Sequence, residues 1–391
     1  MITRDEIREL AAFQADEQKG IYAVSFYFQP DPPQDRSHRS QAILAKDVLK
    51  NALKEAEGMG KNGWLHADLQ RMIELANRLR GQTRARAVFA CSPHKLWKEF
   101  ELPPRLGTSG VYLQPRLQLK PLAMLLGAQP TLCVAMVDRQ RARFFDLRLD
   151  QLRERHAIVH TLSRSAANYG YNGYDAGHAE RRIADEALQH FKSVAEYLRI
   201  GLEKEQWERL IVGCQDSNWR EFEANLHPYV RQRFVGRFSA DVASVTDEEI
   251  RRQSDDILQK WINTRGNSKA AEAISHAKAN GRGVTGLRRV LRALETGEVQ
   301  ALFLADDYAA RAVECIHCGH VDAHIVSACV ACGRSTRELS DVCDAIIPTA
   351  IRRNIELFYL KDHTELDQAG RIAALLRFRA DQNRTGQIAV A

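Results

Sequence analysis

The sequence predicts an α/β protein of three small domains, the last of which carries a metal-binding insertion. Three observations predict this class: short apolar segments alternate with amphipathic ones, the chain has 391 residues, and two Cys-x-x-Cys motifs lie near its C-terminal end. Strands that alternate with helices form sheets covered by helices. A chain of this length exceeds one ordinary hydrophobic core, so two or three domains are expected.

The first domain is predicted over residues 1–127. After a short helix, residues 21–28 (IYAVSFYF) are predicted to form a strand, because apolar, aromatic and β-branched side chains alternate there. The helices that follow are predicted from apolar residues that recur with a helical period. The remaining predicted elements are helices at 41–57 and 66–79, a strand at 85–91, and a strand, turn and short helix within 102–126.

The second domain is predicted over residues 128–262, beginning with two strands at 131–137 and 141–149 joined by a tight turn. A loop rich in glycine and tyrosine follows at 163–177. The later elements of this domain are predicted from apolar periodicity and turn residues. A capping box of Thr246 and Glu249 marks the start of the last helix. These later elements are helices at 178–205 and 218–226, strands at 210–214 and 230–238, and a helix from the capping box to Trp261.

The third domain is predicted over residues 263–391. Strands and helices alternate around one sheet, and the cysteine-rich segment is inserted after its first buried strand. The predicted elements are helices at 268–278, 287–296 and 343–353, a glycine-rich turn at 279–286, a turn and strand within 297–305, and strands at 355–359 and 372–378.

Four cysteines predict a closed metal site. Cys315 and Cys318 form one Cys-x-x-Cys pair followed by glycine. Cys329 and Cys332 form the second, also followed by glycine. This spacing brings two thiolates toward one ion, and the glycine lets backbone N–H groups approach the sulfurs, which favours structural zinc with no open coordination position. Two disulfides or unbound thiols are the alternatives. The histidines that could replace one ligand are His317, His320 and His324.

Composition indicates an ordinary globular protein, with 45% hydrophobic and 27% charged residues. The other cysteines are scattered, which together with a thiolate metal site predicts a reducing, cytoplasmic location. The N-terminus is charged from its fourth residue, so no signal peptide is expected. No apolar stretch reaches the roughly 18 residues that span a bilayer. We therefore expect no membrane association.

Arginine is distributed in clusters that indicate contact with an anionic polymer. The net charge of +6 alone is a weak indication of nucleic-acid binding. Guanidinium groups, however, bind phosphates in a bidentate geometry. Several clusters along one chain favour an extended polyanion, whereas any single cluster can be a solvated face. The clusters lie within residues 78–86, 139–148, 181–182, 231–237 and 282–292.

Three segments resemble the archaeal and eukaryotic class-1 release factors and their relative Pelota. TLCVAMVDRQRARFFDLRLD (131–150) resembles the two strands that open the middle domain of that family. HAERRIADEALQHFKSVAEYL (178–198) resembles the long helix after its catalytic loop. GVTGLRRVLRALETGEVQALFLADDY (283–308), the cysteine pairs and a closing LRF strand resemble its third domain. The resemblance is greatest to the bacterial branch, which includes ribosome hibernation factors, and implies a tRNA-like arrangement of the three domains.

The loop before the long helix departs from the family. Release factors carry Gly-Gly-Gln there, and the glutamine positions the water that hydrolyses peptidyl-tRNA. In this chain the segment reads SRSAANYGYNGYDAGHAERR and has no glutamine; the nearest are Gln151 and Gln189. No catalytic residue is predicted, because the group that would orient the water is missing. No Walker lysine motif is present, so no intrinsic ATPase or GTPase activity is expected.

The same loop is suited to binding RNA. Its tyrosines can stack on unpaired bases, and its asparagines can hydrogen-bond to base edges or phosphates. The alternative is a flexible surface loop built from turn-forming residues. A polar loop in the first domain, DPPQDRSHRS (31–40), is the second candidate. The predicted RNA-binding residues are Asn168, Tyr169, Tyr171, Asn172, Tyr174, His178, Arg181 and Arg182 in the middle domain, and Arg36, His38 and Arg39 in the first.

The resemblance implies a cytoplasmic protein that binds the ribosomal A site through 16S and 23S rRNA. It would block the decoding centre with the first domain and the peptidyl-transferase centre with the middle domain while translation is idle. It also implies elongation factor Tu as a partner of the third domain, with no binding to DNA. The alternatives are a rescue factor that hydrolyses peptidyl-tRNA, and a zinc-ribbon RNA-binding protein unrelated to the A site.

Overall fold

The computed structural model describes residues 4–16, 19–30, 41–58, 63–79, 84–103, 109–126, 129–149, 151–160, 173–204, 206–361 and 363–378. The chain forms two compact units, residues 1–128 together with 266–391, and residues 129–265. Each contains helices and sheets, so the predicted mixed α/β class is confirmed. The division of the first unit into separate N-terminal and C-terminal domains, and the tRNA-like arrangement, stay predictions.

The N-terminal part of the first unit is an antiparallel sheet of order β3-β2-β1-β4 covered by helices. Val24, Phe26 and Phe28 of its central strand pack against the second and third helices. Ala23 and Tyr27 point to the other face, into a second core. Because both faces are covered, the whole strand is buried, which explains its continuous apolar sequence. The elements are α1 (Arg4–Ala12), β1 (Ala23–Phe28), α2 (Gln41–Gly58), α3 (Gly63–Arg78), β2 (Ala85–Cys91), β3 (Leu96–Leu102), β4 (Gly110–Gln114) and α4 (Lys120–Leu126).

The second unit is a five-stranded sheet of order β7-β6-β5-β8-β9. Its first three strands pair antiparallel, whereas β5, β8 and β9 pair parallel. Cys133 and Ala135 of β5 pack on one side with α5, and Val134 and Met136 pack on the other side with α8. The elements are β5 (Leu132–Val137), β6 (Arg141–Arg148), β7 (Gln151–Val159), α5 (Gly173–Glu203), β8 (Arg209–Gly213), α6 (Asp216–Ala224), α7 (Pro228–Arg233), β9 (Phe234–Phe238) and α8 (Asp247–Lys278).

Strand β7 is absent from the sequence prediction. It is an edge strand whose side chains are mostly exposed, and its sequence QLRERHAIV is polar. Charged residues are common on edge strands, because they oppose pairing with another chain. Backbone hydrogen bonds to β6 hold the strand in register, so no apolar pattern marks it.

The segment predicted as a strand at 230–238 is divided in the structure. Residues Pro228–Arg233 form the short helix α7, and the strand begins only at Phe234. Proline is favoured at the first helical position. The ring of His227 caps the helix, since its Nδ1 accepts the N–H of Tyr229 at 3.2 Å. A helix of six residues is too short to show a period, so the strand prediction was wrong over residues 230–233 and right over 234–238.

Helix α8 is continuous where the sequence predicts two helices. The hydroxyl of Thr246 accepts the N–H of Glu249 at 3.3 Å, which confirms the predicted cap. The expected break near residue 263 does not occur. Gly266 has a packing role instead: a Cβ there would lie 2.9 Å from Leu360 Cδ2 and 3.1 Å from Phe358 Cδ1. Glycine weakens helices, but at this position it permits close contact with a strand.

The C-terminal part of the first unit is a sheet of order β10-β16-β11-β15, from which a three-stranded ribbon of order β13-β12-β14 extends. One sheet face packs against the last turns of α8, and the other against α9 and α10. The elements are β10 (Gly283–Thr285), α9 (Leu287–Thr296), β11 (Val299–Ala305), β12 (Ala312–Cys315), β13 (Val321–Asp322), β14 (Thr336–Leu339), α10 (Cys343–Arg352), β15 (Glu356–Leu360), α11 (Thr364–Gln368) and β16 (Ile372–Leu376). Within the described ranges, no helix has the length and apolar content that crossing a membrane requires.

Candidate metal centre and RNA-binding segments

The four predicted cysteine ligands converge beside the ribbon. Their sulfurs all lie within 4.8 Å of one another. The Sγ atoms of Cys315 and Cys332 are 3.4 Å apart, and those of Cys318 and Cys329 are 3.6 Å apart. Zinc–sulfur bonds of about 2.3 Å in a tetrahedron place the sulfurs roughly 3.8 Å apart. The cysteines are not bonded as disulfides, and their spacing suits one tetrahedral metal ion.

Backbone geometry makes each cysteine pair a metal-binding turn. Gly319 and Gly333 adopt φ angles of 73° and 72°, a left-handed conformation that glycine reaches without strain. Their N–H groups donate to the carbonyls of Cys315 and Cys329 at 3.0 and 2.8 Å. The N–H of Cys318 points at the Cys315 sulfur at 3.5 Å; this contact first, then the N–H of His317 and the neighbouring thiols, lower the pKa of Cys315 to about 6 against the opposing effect of burial. Thiolate is the form that binds metal.

Two of the three nearby histidines have carboxylate partners. His320 Nδ1 lies 2.8 Å from Glu295 Oε1, and His324 Nδ1 lies 3.2 Å from Asp322 Oδ1. In the part of the chain that the structure describes, the group able to hold a metal consists of the four cysteines without a histidine. A carboxylate partner fixes the orientation of an imidazole, so these two rings are held away from the thiol cluster by their own contacts.

A buried ion network anchors the ribbon to the rest of its unit. Glu314 precedes the first cysteine and is 2% exposed. Its carboxylate accepts from Arg337 of β14 at 2.7 Å and from Arg116, which follows β4, at 2.5 Å. A buried carboxylate is stable only when paired, so these two guanidinium groups hold the metal-binding segment in place.

Most predicted RNA-binding residues lie outside the described part of the chain. This holds for Arg36, His38 and Arg39, and for Asn168, Tyr169, Tyr171 and Asn172. Helix α5 begins at Gly173 rather than at residue 178, so Tyr174 and His178 belong to its first turns. Arg181 and Arg182 are exposed on the same helix, and Arg182 pairs with Glu186 at 3.2 Å. Their contact with RNA stays a prediction.

Several arginines of the predicted clusters are paired with carboxylates. Exposed pairs of this kind contribute little stability, but they reduce the charge that each cluster presents to a polyanion. Sequence spacing did not indicate these partners, because they come from other strands and helices. The pairs are Arg86 with Glu101, Arg139 with Glu221, Arg143 with Glu154 and Asp247, and Arg237 with Asp216.

A histidine pair that the sequence did not predict joins the end of β7 to α5. His160 Nδ1 and His190 Nδ1 are 2.7 Å apart, although 30 residues separate them. His190 is fully buried. Burial lowers its pKa, His160 lowers it further, and the backbone of Arg141 and the carboxylate of Asp138 oppose the shift. In the sequence, His160 precedes the tyrosine-rich loop and His190 follows it.

We expect acid to destabilise the second unit through His190. Its folded pKa lies below the ordinary 6.5, so below pH 6.5 the unfolded chain takes up a proton more readily than the folded chain does. The stability from neutral His190 is therefore complete above that pH and is lost as pH falls. Urea unfolding followed by tryptophan fluorescence should show a lower midpoint at pH 5.5 than at pH 7.5.

His190→Gln should flatten this pH dependence, whereas His66→Gln, at an exposed position on α3, should preserve it. If the urea midpoint depends equally on pH in the wild type and in both variants, groups other than His190 cause the acid effect. The comparison between proteins removes the contribution of titrating carboxylates, which all three share.

The fold and the cysteine cluster define a mixed α/β protein with a four-cysteine ribbon inserted beside its C-terminal sheet. Residues 118–257 match the family described as Bacterial archaeo-eukaryotic release factor family 10. This segment is therefore related to the archaeo-eukaryotic release factors, as the sequence motifs predict. The match extends from the end of the first sheet into α8, and so includes α5 and the loop before it.

Several solved structures are similar to this chain at low identity. Pelota from Archaeoglobus fulgidus has 15% identity over 76% of this chain and 80% of its own, with a TM-score of 0.34. An archaeal Pelota described as ribosome-bound with ABCE1 has 14% identity over 76% and 78%, with a TM-score of 0.39. The S. cerevisiae termination-like factor Dom34 has 11% identity over 76% and 81%, with a TM-score of 0.38. No curated protein matches the chain. The relationship therefore rests on the family match.

Proposed function

We propose that this protein binds the ribosomal A site and blocks the decoding and peptidyl-transferase centres without hydrolysing peptidyl-tRNA. One observation carries the proposal: residues 163–182, before and at the start of α5, contain no glutamine. Release factors position the attacking water with a glutamine in this segment. A chain whose residues 118–257 match the family but that lacks this group can occupy the site without its chemistry. The sequence resemblance to the hibernation factor Balon supports the same role.

The RNA contacts of this proposal are the two polar loops. Tyrosine rings of the middle loop (Tyr169, Tyr171 and Tyr174) would stack on unpaired 23S rRNA bases, while Asn168 and Asn172 would hydrogen-bond to their edges. Arg181, Arg182 and His178 would contact phosphates from the first turns of α5. The first-domain residues that would contact 16S rRNA are Arg36, His38 and Arg39.

The metal of the proposal is zinc, and its role is structural. Four thiolates at tetrahedral spacing are the ligand set that zinc prefers, and they leave no position for a substrate. The ribbon also exposes three aliphatic side chains, Ile316 at 49%, Ile325 at 50% and Val330 at 69%. Exposed apolar side chains favour contact with another protein, which supports the proposal that elongation factor Tu binds this part of the chain.

A peptidyl-tRNA assay on stalled ribosomes tests the proposal. We expect the protein to compete with aminoacyl-tRNA for the A site while releasing no peptide above background. The variant Tyr169→Ala/Tyr171→Ala should bind ribosomes at least about tenfold more weakly, because each stacked base contributes about 1–3 kcal/mol. Its far-ultraviolet circular dichroism should not change.

The other outcomes identify the alternative functions. Peptide release at the rate of an authentic release factor would establish a rescue factor with an unusual loop. Ribosome binding that disappears at moderate salt and never competes with A-site tRNA would indicate a general RNA-binding protein, since purely electrostatic contacts weaken steeply with salt.

A further inference from the structure

Helix α9 has one apolar face and one face of arginines. Val290, Leu291, Ala293 and Leu294 are buried against the sheet. Arg288, Arg289 and Arg292 are exposed. At about 100° per residue, these three positions lie within roughly 100° of arc on the helix surface. They therefore form one continuous basic surface on the first unit.

Within the described chain, these three arginines have no carboxylate neighbour, unlike Arg86, Arg139, Arg143 and Arg237 of other clusters. Among the described residues, no Asp or Glu lies within ion-pair distance of Arg288, Arg289 or Arg292. The nearest acid in sequence, Glu295, is held by His320 at 2.8 Å. In contrast, Arg139 is paired with Glu221. The positive charge on α9 is therefore available to a partner.

Two more arginines extend the surface beyond the end of the helix. Arg353 donates to the carbonyl of Leu294 and to that of Glu295 at 3.3 Å. Arg377 donates to the carbonyl of Arg353 at 3.5 Å. Both arginine side chains are exposed. The partial negative charge at the C-terminus of α9 is thus compensated, and the positive surface continues past the helix.

We propose that α9, with Arg288, Arg289 and Arg292, is a second RNA-binding surface that contacts phosphates of a folded RNA segment. Protein-binding surfaces have an apolar centre, whereas nucleic-acid interfaces are polar and positively charged. The exposed face of α9 contains no large apolar side chain. Phe378 follows Arg377 and is 56% exposed, and an aromatic ring can stack on a base. The identification of the RNA as ribosomal rests on the proposed function. The inference that α9 binds RNA does not depend on it.

The test compares two triple variants of the full chain that lose the same charge. Arg288→Gln/Arg289→Gln/Arg292→Gln removes the proposed contacts. Arg8→Gln/Arg311→Gln/Arg371→Gln removes three exposed arginines that have carboxylate partners. Binding to a fluorescent rRNA stem-loop is measured between about 50 and 200 mM salt. Circular dichroism checks that both variants are folded.

We expect the α9 variant to bind at least about tenfold more weakly at low salt. Its slope of log affinity against log salt should fall by about 2–3, because each lost phosphate contact contributes about 0.7–0.9. The control variant should bind like the wild type. An unchanged slope for the α9 variant, or equal losses in both variants, would overturn the proposal. Binding of poly-glutamate as tightly as RNA would also overturn it, in favour of an acidic protein partner.

This experiment is separable from the test of A-site occupancy. A protein that fails to bind ribosomes but shows the expected loss on the stem-loop would reject the proposed function and retain the α9 surface. If the wild type competes for the A site but the α9 variant binds the stem-loop as tightly as the wild type, the proposed function would be retained and the α9 surface rejected.

Discussion

Replacing Cys329 with serine is expected to abolish metal binding and unfold the ribbon between residues 312 and 339. Cys329 is 4% exposed, and its sulfur is one of four that lie within 4.8 Å of one another. Three thiolates bind zinc much more weakly than four, and metal binding in such small segments supplies about 10–16 kcal/mol of folding free energy. Metal content by mass spectrometry and hydrogen exchange of the ribbon would measure both effects.

The matched control is Cys91→Ala, which removes a buried cysteine of β2 outside the cluster. It should keep one zinc ion per chain and normal exchange protection in the ribbon. Full zinc content in the Cys329→Ser protein would show that the four sulfurs do not form the metal site. Because the loop before α5 belongs to the other unit, we expect the ribosome contact proposed for it to be independent of zinc.

Replacing Glu314 with glutamine is expected to destabilise the first unit by about 3 kcal/mol or more. Removing one member of a buried ion network leaves the remaining charges without compensation, which costs about 3–5 kcal/mol. The side chains of Arg116 and Arg337 are only 19% and 18% exposed. Chemical denaturation should show a lower midpoint, while metal content should not change, because the four thiols are intact.

A control on the neighbouring strand β14 isolates the effect of burial. Glu338→Gln breaks the pair with Arg311, whose side chains are 57% and 69% exposed. Exposed pairs contribute about 0–1 kcal/mol, so this variant should unfold near the wild-type midpoint. Equal destabilisation by both substitutions would contradict the role assigned to the Glu314 network.

Elements with a strong apolar pattern were predicted well from the sequence. The bounds predicted for α9 and β2 are those of the structure, because one face of α9 and both faces of β2 are buried. Elements held by other forces were missed. Strand β7 depends on backbone pairing at an edge, and α8 continues through Gly266, where the lack of a side chain permits close contact with Leu360. Neither cause leaves a periodic signal in the sequence.

The metal site was predictable because its ligands are close in sequence. Two i, i+3 pairs with glycine specify two local turns, and only the approach of the turns requires the ribbon. The histidine pair His160 and His190 was not predictable, because strand and helix bring its members together across 30 residues. The anchoring of Glu314 by Arg116 likewise joins distant parts of the chain.

The sequence by itself determined the family relationship, the cysteine ligands and the absence of a glutamine in the loop before α5. These are properties of residue identity and local spacing. Only the tertiary structure decided which arginines remain available to a partner. Carboxylates from neighbouring strands and helices pair with Arg139, Arg143 and Arg237, whereas the exposed face of α9 has none within the described chain. The net charge of a sequence counts every ionisable residue. A polyanion, in contrast, is attracted by the arginines that remain unpaired on the folded surface.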